Sequence, residues 1–64
     1  MGAQAARDFD LVGNIMAFEA GELEFGEVVT LFQYLVDTGM AWTLQGMYGR
    51  AAEQLIEGGY VVRG

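Results

Sequence analysis

The stretch Phe25-Gly-Glu-Val-Val-Thr-Leu-Phe-Gln-Tyr-Leu-Val-Asp-Thr-Gly39 decides the fold. Its large apolar residues recur every three or four positions, which is the period of an α-helix with one buried face. Glu24 and Glu27 stand near its start, where carboxylates complement the helix dipole. Gly39 follows its last turn and can take the left-handed conformation that ends a helix. The pattern predicts a helix over residues 25–38.

The segment before this stretch also has helical spacing. Its apolar residues predict a helix over residues 8–20, with Asp8 at the N-terminal end and Gly21 as the stop. Gly13 lies inside this helix at a cost of about 1 kcal/mol relative to Ala. We expect Gly13 to let another helix approach closely.

A third helical pattern follows. Apolar residues from position 44 to position 56 predict a helix over residues 44–57, with Thr43 as its cap and Gly58-Gly59 as its stop. The apolar tail at residues 60–62 is expected to fold back onto the helices or to add to a partner. The whole chain, residues 1–64, is therefore predicted to be one compact all-α domain of three helices, with residues 1–7 disordered or frayed.

A chain of this size has a marginal core. About 60% of the surface of such a chain can be buried on folding, and small domains usually need a disulfide, a metal or a partner chain in addition. The sequence has no cysteine and no histidine, and 53% of its residues are hydrophobic. Self-association is the stabilising device that this composition favours.

Charge limits the classes of partner. The formal net charge is −6; residues 1–37 carry all of it, and residues 38–64 are neutral. The chain has no lysine and three arginines, which does not favour binding to nucleic acid or to an anionic membrane. The acidic half either meets a basic partner or serves solubility, and both readings stay open at this stage.

The sequence predicts neither catalysis nor metal binding. Without histidine or cysteine, the usual pairs of nucleophile and base are missing. Four carboxylates cluster between the first two helices, but their spacing does not match a calcium-binding loop. They are Glu19, Glu22, Glu24 and Glu27. We therefore predict no enzymatic activity, no catalytic residue, no metal site and no cofactor.

The candidate binding residues cluster between the second and third helices. They are Met40, Trp42, Met47, Tyr48 and Arg50. Tryptophan, tyrosine and methionine are enriched in the cores of protein interfaces. The alternative is that Trp42 closes the end of the protein's own core. Arg50 is expected to pair with an acid of an earlier helix or with a partner's carboxylate.

Two features of this region have a second interpretation. Gly46 and Gly49 lie three positions apart, so they share one helix face, and we expect close packing there rather than a phosphate site. The second and third helices also resemble a helix-turn-helix unit. Its recognition helix would carry Arg50 alone against two glutamates, so this resemblance to DNA-binding proteins is geometric.

Several blocks of the sequence carry a family resemblance. They are Met16-Ala-Phe-Glu-Ala-Gly-Glu-Leu23, Leu31-Phe-Gln-Tyr-Leu-Val-Asp-Thr-Gly39, Ala41-Trp-Thr-Leu-Gln-Gly46 and Tyr48-Gly-Arg50. Over roughly residues 14–60 the chain resembles a family of small accessory proteins of actinobacteriophages, of the mycobacteriophage type, whose function is unknown. The resemblance implies a phage protein that acts in the cytoplasm of a bacterial host, and it implies no activity.

These observations predict a small non-enzymatic phage accessory protein that self-associates and binds a host or phage protein. One alternative is a transcription-linked DNA-binding module built on the helix-turn-helix resemblance. Another is a purely structural oligomer. No targeting signal is expected at the start of the chain, and the uncharged run over residues 28–36 is too short to cross a bilayer.

Overall fold

The computed structural model describes residues 10–63 and contains three α-helices in this part of the chain. Helix α1 is Leu11–Glu19, α2 is Phe25–Thr38 and α3 is Gly46–Glu57, with a short 3-10 helix at Met40–Trp42. Residues 10–63 hold no strand, and none of their helices is long and apolar enough to cross a membrane. The prediction of an all-α domain of three helices is confirmed. The predicted disorder of residues 1–7 and the role of Asp8 lie outside the described residues.

Helix α2 forms the centre of the core, and its predicted bounds are confirmed. Leu31, Phe32 and Leu35 are fully buried, and Val36 is nearly so. The structure packs α1, α3 and the 3-10 helix against α2, so its buried face is wider than a single apolar stripe. For this reason Leu31 has no exposed surface.

Helix α1 begins later than predicted because Asp10 caps it. Oδ1 of Asp10 accepts a hydrogen bond from the backbone N–H of Gly13 at 3.0 Å. A Cβ atom at Gly13 would collide with this carboxylate. Gly13 is therefore explained by the cap within its own helix, which replaces the expectation that it lets another helix approach.

Helix α3 also begins later than predicted, at Gly46, and Thr43 does not cap it. The Thr43 hydroxyl donates to the carbonyl oxygen of Met40 at 3.0 Å, which closes the 3-10 helix instead. Gln45 stands at the N-cap position without a side-chain hydrogen bond. The 3-10 helix at Met40–Trp42 lies ahead of the residues predicted for the third helix, 44–57.

Glycines end the helices where the sequence predicts. Gly39 has a φ of +82° and its N–H donates to the carbonyl oxygen of Val36 at 3.1 Å. Gly21 and Gly59 also have positive φ values. The left-handed residue at position 39 turns the chain directly into the 3-10 helix, which buries Ala41 against the core.

The C-terminal tail folds back onto α2. Val61 is 1% exposed and belongs to the core. The side-chain amide of Gln33 holds the backbone of Val62 at two points. Its Oε1 accepts from the Val62 N–H at 2.9 Å, and its Nε2 donates to the Val62 carbonyl oxygen at 2.9 Å. Of the two expectations for the tail, folding back is the one that the structure shows.

Two glycine substitutions test the turn after α2. Gly39→Ala forces an alanine into the left-handed region and should lower the free energy of unfolding by about 1–2 kcal/mol. Gly26→Ala is the matched control, because Gly26 lies in α2 with ordinary φ and open space around it. It should raise stability by about 0.4–1 kcal/mol. Urea denaturation followed by circular dichroism measures both changes, and equal effects at the two positions would contradict this account.

Candidate protein-binding surface

Trp42 lies at the end of the 3-10 helix and is 41% exposed. Its ring rests against α3 at Gly49, where a Cβ atom would lie 3.6 Å from ring atom Cε3. The guanidinium carbon of Arg63 lies 4.9 Å from the ring centroid, in cation–π geometry. The indole is therefore held in place by its own chain while two fifths of the residue's surface faces solvent.

Arg50 and Met47 belong to the first turns of α3 and are both exposed. They are three positions apart, so they share one side of the helix. The Arg50 side chain runs back towards the start of α3, where its Nη1 would lie 3.5 Å from a Cβ atom at Gly46. Trp42, Met47, Arg50 and Arg63 are called the Trp42 surface below.

The two glycines of the Gly46-x-x-Gly49 motif thus have separate neighbours. A Cβ atom at Gly49 would lie 3.6 Å from the Trp42 ring and 3.6 Å from the carbonyl oxygen of Ala41. Gly46 lies beside Arg50. The predicted close packing at this motif occurs at Gly49, against the 3-10 helix of the same chain.

Tyr48 does not belong to the surface, although it was predicted there. It is 2% exposed, and its ring packs against Phe18 and Phe32 with centroid distances of 5.7 and 6.0 Å. Its hydroxyl donates to Oε2 of Glu19, the last residue of α1, at 2.6 Å. The side of α3 that carries Tyr48 faces the core. Met40 is also half-buried against the core, so three of the five predicted residues remain exposed.

The environment of Tyr48 changes its acidity. Burial, and then the hydrogen bond to Glu19 and the negative charge of that carboxylate, raise the pKa of Tyr48 to about 12. The phenol thus stays protonated well above the pH at which an exposed tyrosine ionises. It acts as a structural donor that links α1 to α3.

Arg63 is a surface residue that sequence reasoning missed. It joins Trp42 only because the tail folds back onto the helices, and helical periodicity carries no information about that. Arg63 also lines a shallow groove on α3 with Glu53, Ile56 and Glu57. An arginine after an apolar tail in a chain of only three cations was the one available signal.

Two of the four clustered carboxylates, those of Glu19 and Glu27, have structural roles. The Glu27 carboxylate accepts a hydrogen bond from the N–H of Glu24 at 2.9 Å, which satisfies a donor at the start of α2. Glu19 accepts from Tyr48, as described above. Within residues 10–63, no group of three or more potential ligands lies close enough to hold a metal ion.

The connection between α2 and α3 differs from that of a helix-turn-helix unit. Residues 39–45 separate the two helices and include the 3-10 helix. Helix-turn-helix units join their helices by a turn of about three or four residues. The exposed side of α3 also carries Glu53 and Glu57 besides Arg50. The predicted geometric resemblance is therefore weak.

Comparison with known proteins identifies a family but no activity. DUF7417, a domain of unknown function, matches residues 5–64, so the chain belongs to this family. No curated protein and no solved structure is detectably similar to the chain.

The link between Tyr48 and Glu19 predicts a loss of stability at high pH. Below pH 10 tyrosine is protonated in both the folded and the unfolded chain. Between about pH 10 and 12 only the unfolded chain gives up this proton, so unfolding becomes more favourable as the pH rises. Tyr48→Phe should cost about 1 kcal/mol at pH 9. The free energy of unfolding of the parent should fall between pH 9 and 12, and the substitution should reduce this fall by about 2 kcal/mol.

Denaturant unfolding at the two pH values measures this difference, with Tyr60→Phe as the matched control. Tyr60 is 56% exposed, and phenylalanine would keep its ring contact with Phe25 at 4.9 Å. The free energy of unfolding of Tyr60→Phe should decline with pH as it does in the parent protein. The same decline in Tyr48→Phe as in the parent would show that Tyr48 does not cause it.

Proposed function

We propose that this member of the DUF7417 family is a small non-enzymatic protein that self-associates and binds another protein through its Trp42 surface. The observation that supports this most is the position of Trp42. A tryptophan that is 41% exposed, braced by Gly49 and by Arg63, presents a large rigid side chain to solvent in a chain of 64 residues.

Bracing matters because binding requires side chains to lose freedom. Immobilising one flexible side chain on binding costs about 0.5–1.5 kcal/mol of binding free energy. The indole already lies against the backbone of α3 at Gly49 and in cation–π contact with the Arg63 guanidinium. Tryptophan and arginine are the residues that most often carry binding energy at interfaces. Trp42 is therefore suited to be the anchor of a contact.

The charges on this surface define the partner's chemistry. Arg50 and Arg63 are the two cations of the described residues, and both belong to the Trp42 surface. Arg50 makes no ion pair or hydrogen bond with another side chain in this part of the chain. A fitting partner offers an apolar pocket for the indole and a carboxylate for Arg50.

The biological setting is part of the proposal. The resemblance to small actinobacteriophage proteins supports a phage accessory role, with a host or phage protein as the partner and the host cytoplasm as the place of action. A protein of this kind alters its target by occupying a surface of it, and needs no chemistry of its own.

DNA binding and a purely structural assembly have less support. The exposed side of α3 carries more acidic than basic residues, which opposes contact with phosphates. A gel shift at low salt tests DNA binding directly, and a shift that Arg50→Ala abolishes would revive it. A purely structural oligomer would leave the exposed Arg50 without a role.

Affinity capture tests the partner-binding proposal. The tagged protein is used to capture proteins from an actinobacterial lysate, and bound proteins are quantified by mass spectrometry. A specific partner should be recovered at least about 30-fold less with Trp42→Ala, the loss typical of an interface hot spot. Arg50→Ala should also reduce recovery if the partner supplies a carboxylate.

Tyr60→Ala is the matched control, because Tyr60 is an exposed aromatic residue outside the Trp42 surface. It should bind the partner like the parent protein. Circular dichroism confirms that each variant is folded. Recovery of nothing but the protein itself, or equal recovery by all variants, would count against the proposal.

A further inference from the structure

We infer that residues 61–63 form a latch that opens and closes as a unit and sets whether the Trp42 surface is assembled. These three consecutive residues are fastened to three different parts of the molecule. The two glycines that precede them, Gly58 and Gly59, provide the hinge. The role of the latch in binding rests on the proposed function, whereas the latch itself is a property of the fold.

Each residue of the latch has its own contact. Val61 is 1% exposed and lies in the core. The Gln33 amide holds Val62 through two hydrogen bonds of 2.9 Å. The guanidinium carbon of Arg63 lies 4.9 Å from the centroid of the Trp42 ring. Because the three residues are adjacent in the chain, displacing one of them displaces its neighbours.

The contact with α2 depends on how the Gln33 amide is turned. Its Nε2 donates to Oδ1 of Asp37 at 2.9 Å as well as to the Val62 carbonyl oxygen, so both of its N–H groups are used. An ionised carboxylate only accepts hydrogen bonds, so Asp37 keeps the NH₂ end of the amide on its side. Asp37 is the last residue but one of α2, where the helix dipole disfavours a carboxylate. Orienting Gln33 is the role that we assign to this acid.

The latch is attached more weakly than the helices. Of its described residues only Val61 is buried, and its hydrogen bonds with Gln33 lie at the exposed surface. Gly59 has a φ of +82°, and no atom beyond its two chain neighbours lies within 4 Å of where a Cβ would stand. Segments with few buried contacts and exposed hydrogen bonds open at a lower free energy than the core. We therefore expect the latch to open without unfolding of α2.

Opening changes the Trp42 surface. Arg63 leaves the indole, which then keeps its contact with α3 and loses the cation–π contact. A partner that contacts Trp42 and Arg63 together binds only the closed form, so its apparent Kd rises as the closed fraction falls. Gln33 and Asp37 thus act as positioning residues for a surface to which neither belongs.

Hydrogen exchange of backbone amides, followed by NMR on the protein alone, tests the latch. The reporter is the N–H of Val61, which donates to the carbonyl oxygen of Leu55 at 3.2 Å. The reference is the N–H of Leu35, at the buried centre of α2. After correction for intrinsic rates, Val61 should exchange at least about tenfold faster than Leu35, because the latch opens without global unfolding. Equal rates in the parent protein would contradict this.

Two substitutions loosen the latch at different points. Gln33→Met keeps the length of the side chain and removes both hydrogen bonds to Val62, so it should speed the exchange of Val61 about tenfold or more. Arg63→Ala removes the contact with Trp42 and should speed the same exchange about two- to fivefold. Both effects appear at a residue that neither substitution changes, which is the signature of a unit that opens as a whole.

Tyr48→Phe is the control, because it weakens the link between α1 and α3 and leaves the three latch contacts in place. It should speed the exchange of Leu35 about fivefold and leave that of Val61 unchanged. Equal acceleration of both amides in this control, or no acceleration of Val61 in Gln33→Met or Arg63→Ala, would overturn the latch. Failure to capture a partner would count against the proposed function alone, because the exchange measurements need no partner.

Discussion

The burial of one face of α2 is the constraint on which the rest of this structure depends. Leu31, Phe32 and Leu35 have no exposed surface, and burial of a side chain of this size stabilises a fold by about 1.5–3 kcal/mol. Helix α1, helix α3 and the 3-10 helix all pack against α2. The C-terminal tail is tied to the same helix by Gln33. In a chain this short, α2 therefore serves as the common packing surface for every other element.

Tyr48 shows how such a small core can include a polar atom. Its ring completes an aromatic cluster with Phe18 and Phe32. Its hydroxyl reaches the core boundary, where Glu19 accepts its hydrogen bond. A buried hydroxyl without a partner would cost about 1–3 kcal/mol. The Glu19 carboxylate removes that cost and joins the end of α1 to α3.

The limited core also explains the exposed apolar residues. A chain of 64 residues has too little interior for all the hydrophobic side chains of this composition. Those left outside include Val12 and Met16 on α1, and Trp42 and Met47 on the Trp42 surface.

Local features of this protein could be predicted from the sequence because they depend on neighbouring residues. The bounds of α2 follow from its apolar period and from Gly39, which only needs to take a positive φ. The start of α1 was predicted less well. Asp8 was expected there, and among the described residues Asp10 is the one that caps the helix.

The composition of the binding surface was decided by tertiary structure. Tyr48 and Trp42 both looked like interface residues, yet the orientation of α3 on α2 buries Tyr48 and leaves Trp42 half-exposed. Arg63 reaches the Trp42 ring because Gln33 and the buried Val61 hold the tail in place. Periodicity shows which side of a helix is apolar. Which residue of that side meets the core depends on how the helices are placed relative to one another, and contacts between residues distant in sequence set that placement.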